Sequence, residues 1–171
     1  MLRAILIGAP GAGKTSVGKA LSRELSTSFE DTDAIIAQEQ GRSITQIFAE
    51  DGEQGFRSIE REVVLKALHS STGVISLGGG AVLDLKVQSA VEESSATVIY
   101  LSVGLSNALS RITNRSDRPL LVMNPEKEWL ALFAKRESIY KTLANIEVST
   151  DNKKANEVAR ELVDLMGLTH G

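Results

Sequence analysis

Apolar residues along this chain fall into two alternating periods. Ala4 to Ile7 (AILI), Val74 to Leu77 (VISL) and Thr97 to Ser102 (TVIYLS) are short continuous apolar runs of the kind that fills a buried parallel sheet, and Ile146 to Ser149 reads as a last strand. Ser28 to Glu30 is a further short strand, which makes five. Between them the period becomes helical. Val17, Leu21 and Leu25 recur at four-residue steps within Ser16 to Leu25, Ser43 with Gln46 forms a capping box that starts Ile44 to Glu50, Phe56 to His69 is a longer helix, and Asn156 to Met166 is an amphipathic tail. Strands alternating with helices predict an α/β domain built on a parallel sheet. Asn114 to Pro125 fits neither period and carries Arg115, Asp117, Arg118 and two prolines, so it is expected to be a mobile surface segment.

Composition narrows the picture without changing it. A chain of 171 residues, 42% apolar and 24% charged, suits one well-packed soluble domain spanning 1–171. A net charge of −3 supplies no basic field for nucleic acid, and no apolar run approaches the roughly 20 residues that cross a bilayer. The chain has no cysteine, which excludes disulfides and thiol catalysis, and its first apolar run leads straight into a glycine-rich loop with no space for a removable signal peptide. A cytoplasmic location is the expectation.

That loop carries the first chemistry. Gly8 to Thr15, GAPGAGKT, matches G-x-x-x-x-G-K-[ST] at Gly8, Gly13, Lys14 and Thr15, with an additional glycine at Gly11, and it lies between a strand and a helix as a phosphate-binding loop must. Backbone N–H groups close around a nucleotide's β-phosphate at the helix N-terminus, Lys14 reaches the β/γ oxygens, and the Thr15 hydroxyl ligates Mg²⁺. The loop identifies a phosphoryl donor and is silent on the acceptor.

Four clusters bear on the acceptor. In FEDTD, Asp31 and Asp33 stand two apart at a strand end and are expected to project to one side, where one carboxylate can order a metal's water shell and the other can receive a hydroxyl proton; otherwise Asp33 only N-caps a helix Ala34 to Gln40. Arg57 and Glu60, three apart on a helix, read on their own as a surface ion pair. Gly78 to Gly80, straight after a strand, suit a ligand that approaches the main chain. Arg136 shares a helical face with Tyr140 near Trp129, Leu132 and Phe133, and is either a snorkelling surface residue or an anion clamp.

Taken in order, the P-loop, D-T-D, F-R-x-x-E, G-G-G, the R-P-L-L of Arg118 to Leu121 and the R-x-x-x-Y of Arg136 to Tyr140 resemble the shikimate kinases over nearly the whole chain. The resemblance implies a P-loop nucleoside monophosphate kinase-like α/β fold, a five-stranded parallel sheet flanked by helices with a mobile lid at about 114–125. It implies transfer of the γ-phosphoryl group of ATP to the 3-hydroxyl of shikimate, with Mg²⁺ as cofactor, by a monomer that binds neither nucleic acid nor membrane. Residue by residue, the loop amides of Gly11, Ala12, Gly13 and Ser16 with Lys14 would hold phosphate, and Thr15 and Asp31 the metal. Asp33 would bond the substrate hydroxyls and serve as base. Arg57 and Arg136 would clamp the carboxylate with backbone at Gly79 and Gly80, and Glu60 would hold Arg57. Arg118 would reach the transferring phosphoryl group, Arg111 would lie against adenine, and Lys153 stands where the family commonly has arginine.

Two other readings compete. Gluconate kinase also combines a P-loop and a lid with an anionic polyol substrate, and the FEDTD, FRxxE and GGG set argues against it. A GTP-dependent switch needs N-K-x-D, whereas Asn152-Lys153 is followed by Lys154 and Ala155, and a D-x-x-G motif is missing as well.

Overall fold

A computed structural model describes residues 1–112 and 124–168 of the chain. Five strands, β1 (Ala4–Ile7), β2 (Phe29–Asp31), β3 (Val74–Ser76), β4 (Thr97–Ser102) and β5 (Ile146–Ser149), form one sheet in the order β2-β3-β1-β4-β5 with every neighbouring pair parallel. β1 is the central strand and is buried along its whole length, as its unbroken apolar run requires. The helices are α1 (Lys14–Glu24), α2 (Thr32–Gln40), α3 (Ile44–Ser70), α4 (Leu85–Glu93), α5 (Leu105–Ile112), α6 (Pro125–Leu143) and α7 (Ala155–Leu165). Here α1 packs on α7, while α4 packs on α3 and α6, so the sheet's main core lies between helical layers. Among the described residues no helix is long and apolar enough to cross a membrane.

This sheet order positions a site by topology alone. The chain leaves β1 toward β2 and β3 on one side and crosses to β4 and β5 on the other, so the loops at the carboxyl ends of the strands diverge around β1 and leave a crevice there. The P-loop, the β2–α2 junction, the glycines after β3 and the segment after β5 all open onto that edge.

Element boundaries depart from the sequence reading at four informative places. Helix α1 begins at Lys14 rather than Ser16, with Gly13 as a left-handed N-cap (φ 90°), so Lys14 and Thr15 already belong to its first turn. Strand β2 is shifted by one residue and ends on Asp31, paired with Ser76. The stretches read as two separate helices, Ile44 to Glu50 and Phe56 to His69, are one run broken only at Gly52, whose φ of 73° and ψ of 176° turn the chain before helix resumes. Of the segment 114–125, Asn124 and Pro125 are the N-cap and first residue of α6, and the rest lies outside the described residues.

A smaller cluster of Ile36, Ile47, Phe56 and Val63 sits between α2 and α3, separate from the main core. The anticipated capping box opens α3: Gln46 N–H donates to Ser43 Oγ at 3.1 Å and Ser43 N–H donates to the Gln46 side chain at 2.8 Å. Ser43→Ala leaves that first turn without its acceptor, and the expected cost is about 1 kcal/mol, seen as a fall of about 2–4 °C in melting temperature with turnover unchanged.

Candidate active site

Three consecutive carbonyls of the P-loop are held from outside. Pro10 O accepts from the Trp129 indole at 2.9 Å, Gly11 O from Arg111 Nη1 at 3.0 Å, and Ala12 O from the Thr150 hydroxyl at 2.8 Å. Arg111 also donates to Thr150 Oγ1 at 3.0 Å and Thr150 O at 2.8 Å, tying α5 to the end of β5. Gly11 has a φ of 83°, and a Cβ there would fall 2.6 Å from Ala108 O of α5, so only glycine allows this close approach. Lys14 folds over the loop, its Nζ donating to Gly8 O at 2.8 Å and Ala9 O at 3.1 Å. The loop borders a cleft of about 420 Å³ whose wall includes Gly11 to Ser16, Asp31, Asp33, Gly79, Arg111 and Lys153.

The two aspartates reach that cleft by a different route from the one their spacing suggests. They do not share a strand: Asp31 closes β2 and is itself the N-cap of α2, its Oδ1 accepting from Asp33 N–H at 2.9 Å and Ala34 N–H at 3.3 Å. Asp33 stands in the first helical turn and is not the cap. The other Asp31 oxygen, Oδ2, accepts from the Thr15 hydroxyl at 2.8 Å. Two oxygen donors of this kind fit Mg²⁺, which is held by one or two carboxylates or hydroxyls and keeps waters and substrate phosphate for its remaining positions.

Across the cleft, glycines bring charge together. A Cβ at Gly78 would lie 2.8 Å from Asp33 Oδ1 and 3.0 Å from Glu60 Oε2, so the missing side chain is what lets both carboxylates close on this loop. A Cβ at Gly79 would lie 3.2 Å from both Arg136 Nη1 and Pro10 Cδ, and one at Gly80 would meet the Arg57 guanidinium, 2.7 Å from its Cζ. Gly78 N–H donates to the Thr32 hydroxyl at 3.2 Å, and Gly79 O accepts from Tyr140 Oη at 2.5 Å. Burial pushes the Tyr140 hydroxyl up to about 12, so it remains a donor at neutral pH.

The ion pair read as a surface feature is buried at its Glu60 end and partly exposed at Arg57. Glu60 is only 3% exposed and accepts from Arg57 Nη1 at 2.7 Å; Arg136 is also 3% exposed, and its Nε has no hydrogen-bond partner among the described residues. Arg136 is therefore not a snorkelling surface residue. Lys153 lines the cleft and pairs with Glu161 at 3.0 Å. Arg118 lies outside the described residues. Sequence reasoning missed Thr150 and named Trp129 only as a neighbour of the Arg136 face; a lone threonine after a strand carries no local signal for its bond to a loop 138 residues earlier.

Burial raises the Glu60 carboxyl above its ordinary range, with Arg57 the main opposing influence. A raised pKa favours the protonated folded state, so this group's contribution to stability is present below the ordinary carboxylate range and is lost as pH climbs through the raised value. Glu60→Gln, neutral throughout, is expected to gain on wild type in melting temperature as pH rises from about 4 to 7. A difference that stays constant over that range would contradict the assigned shift.

Known proteins resemble this chain in sequence and in shape. Residues 10–167 match the family model described as "Shikimate kinase". A shikimate kinase of Thermobifida fusca is 45% identical over 156 residues, covering 91% of this chain and 90% of that one. The solved structure of a shikimate kinase from Acinetobacter baumannii in complex with shikimate superposes with a TM-score of 0.91 at 32% identity, over 97% of this chain and 93% of the other. A gluconokinase from Sinorhizobium meliloti reaches a TM-score of 0.62 at 17% identity over 96% of this chain and 91% of its own, a likeness of fold alone. With its P-loop, glycine loop after β3 and sheet order in place, this chain belongs to the shikimate kinase family.

Proposed function

We propose that the cleft transfers the γ-phosphoryl group of MgATP to the 3-hydroxyl of shikimate, giving shikimate 3-phosphate and ADP. The observation that carries this reading is the pair of guanidinium groups at Gly79 and Gly80, Arg136 buried and Arg57 partly buried, beside Asp33 at Gly78: cations for a carboxylate next to a carboxylate for hydroxyls, facing a P-loop. The shikimate complex of the Acinetobacter baumannii relative supports the same acceptor.

In this reading Arg57 and Arg136 grip the substrate carboxylate from two directions, with the backbone of Gly79 and Gly80 completing the wall. Glu60 keeps Arg57 in place through their 2.7 Å bond. Asp33 accepts the proton of the 3-hydroxyl as its oxygen bonds to the γ-phosphorus; the bond from that phosphorus to the β–γ bridging oxygen breaks, and ADP leaves. Lys14 exchanges its hold on Gly8 O and Ala9 O for the phosphate oxygens, and the loop amides of Gly11, Gly13 and Ser16 face the β-phosphate. The Ala12 amide, expected from the resemblance to join them, instead donates to Ala9 O at 3.1 Å. Thr15 and Asp31 would hold Mg²⁺, which when bound neutralises charge on the phosphates. Arg111 and Lys153 border the adenine side, and Arg118 is assigned to the transferring phosphoryl group on resemblance. The same reading takes the protein as a cytoplasmic monomer, 1–171 a single domain, with MgATP and shikimate as its partners and no role for nucleic acid or membrane.

The direct test is ADP release from MgATP with shikimate, gluconate and nucleoside monophosphates supplied side by side. Shikimate is the expected acceptor, and efficient turnover of gluconate in its place would refute the reading. Asp33→Asn is expected to lower kcat by roughly 10² while MgATP binding survives, the scale of one positioned acid–base group; an equal loss of nucleotide affinity would count against the assignment. For Arg136→Lys the KM for shikimate is expected to rise at least about tenfold, since an ammonium cannot reproduce a two-point guanidinium grip.

A further inference from the structure

The P-loop amides that face a ligand are fixed by what holds the carbonyls on the other side. In a trans peptide the C=O of one residue and the N–H of the next point in opposite directions. Trp129 Nε1 holds Pro10 O at 2.9 Å, so it fixes the Pro10–Gly11 peptide and with it the direction of Gly11 N–H. The Thr150 hydroxyl holds Ala12 O at 2.8 Å and does the same for Gly13 N–H. The amide between them, Ala12 N–H, is turned back within the loop onto Ala9 O at 3.1 Å.

Trp129 is built for this duty. It is 2% exposed, its ring stacks on Phe133 with centroids 5.0 Å apart and planes 16° from parallel, and its N–H, which in a buried ring must find an acceptor, finds one on the P-loop. Its helix also carries Tyr140, which donates to Gly79 O at 2.5 Å, and Arg136, and at Gly79 there is no room for a Cβ between Arg136 Nη1 and Pro10 Cδ, each 3.2 Å from where it would stand. One rigid helix thus holds both loops of the cleft.

We propose that Trp129 is a positioning residue for the nucleotide: through the Pro10 carbonyl it aims the Gly11 amide at the phosphates, and its stacked ring keeps that peptide plane fixed before the nucleotide arrives. The inference rests on the P-loop being the nucleotide site, and its test does not require shikimate turnover.

Trp129 is the single tryptophan of the chain, so residue-specific replacement reaches this position alone. Incorporating β-(3-benzothienyl)alanine, which exchanges the indole N–H for sulfur at nearly constant shape, removes the hydrogen bond and keeps the stack. Titration calorimetry with MgADP is expected to give a dissociation constant about fivefold weaker than in unsubstituted protein, the scale of one net hydrogen bond. The dissociation constant for shikimate without nucleotide is expected to stay within twofold. Incorporation of 4-fluorotryptophan, which retains the N–H, should restore MgADP binding. In steady state the KM for MgATP should rise with kcat within twofold. If the benzothienyl protein binds MgADP within twofold of unsubstituted protein, or if it loses MgADP and shikimate affinity equally along with melting temperature, Trp129 is a packing residue only and the proposal fails. Trp129→Phe, which likewise keeps a ring and lacks the donor, must weaken MgADP to a similar degree, and a variant that binds it normally would overturn the proposal independently.

Discussion

Charge buried beside a loop with no side chains is the constraint around which this molecule is organised. Arg136 and Glu60 are almost fully removed from water, and an ionised group in that setting is tolerated only with compensating charge and hydrogen bonds. Compensation comes from the arginines themselves and from Tyr140: Arg57 on α3 bonds Glu60, Arg136 also favours its charge, and Tyr140 stands one turn beyond Arg136 on α6, while Asp33 at the start of α2 adds a like charge that opposes ionisation of Glu60. Gly78, Gly79 and Gly80 make the cluster geometrically possible, because any side chain on them would fall on Asp33, Glu60, Arg136 or Arg57. The cluster is held together by the same residues that an anionic, hydroxylated ligand would engage, so its stability and its selectivity have one origin.

The sheet supplies the second half of the account. Parallel strands ordered β2-β3-β1-β4-β5 send every strand's carboxyl end to one edge, and there the P-loop after β1 meets the glycine loop after β3. The two loops approach so closely that a Cβ on Gly79 would lie 3.2 Å from Pro10 Cδ, and both are braced by α6. Thr150 and Arg111 brace the far side of the P-loop from β5 and α5. A loop rich in glycine has little stiffness of its own. Its shape here is imposed by side chains distant in sequence.

How much of this was legible in the sequence depends on how far the relevant physics reaches along the chain. All five strands were located, β1, β4 and β5 with the observed boundaries; β1, β3 and β4 stood out as apolar runs because burial in a parallel sheet writes itself into consecutive residues, while the outer β2 and β5, less buried, carried a weaker signal. The P-loop and the Ser43 capping box were legible for the same reason: their partners lie within a few positions. Asp31 and Asp33 both line the cleft, but not by the argument that singled them out, since β2 ends at Asp31 and helix begins at Thr32, so a strand's two-residue alternation does not apply. Arg57–Glu60 looked like a surface pair because three-residue spacing says nothing of depth; Glu60 is buried by the glycine loop that follows β3. Thr150, Trp129 and the carbonyl hold of Arg111 were out of reach, for their partners stand about 100 or more residues away.

The central claim, that the glycine-lined charge cluster is the acceptor site, is tested most directly by a crystal structure of this chain with MgADP and shikimate. The account predicts the shikimate carboxylate between Arg57 and Arg136 against the backbone of Gly79 and Gly80, with a ring hydroxyl on Asp33 directed toward the P-loop. Shikimate seated elsewhere in the cleft, or a carboxylate bound without either arginine, would contradict it.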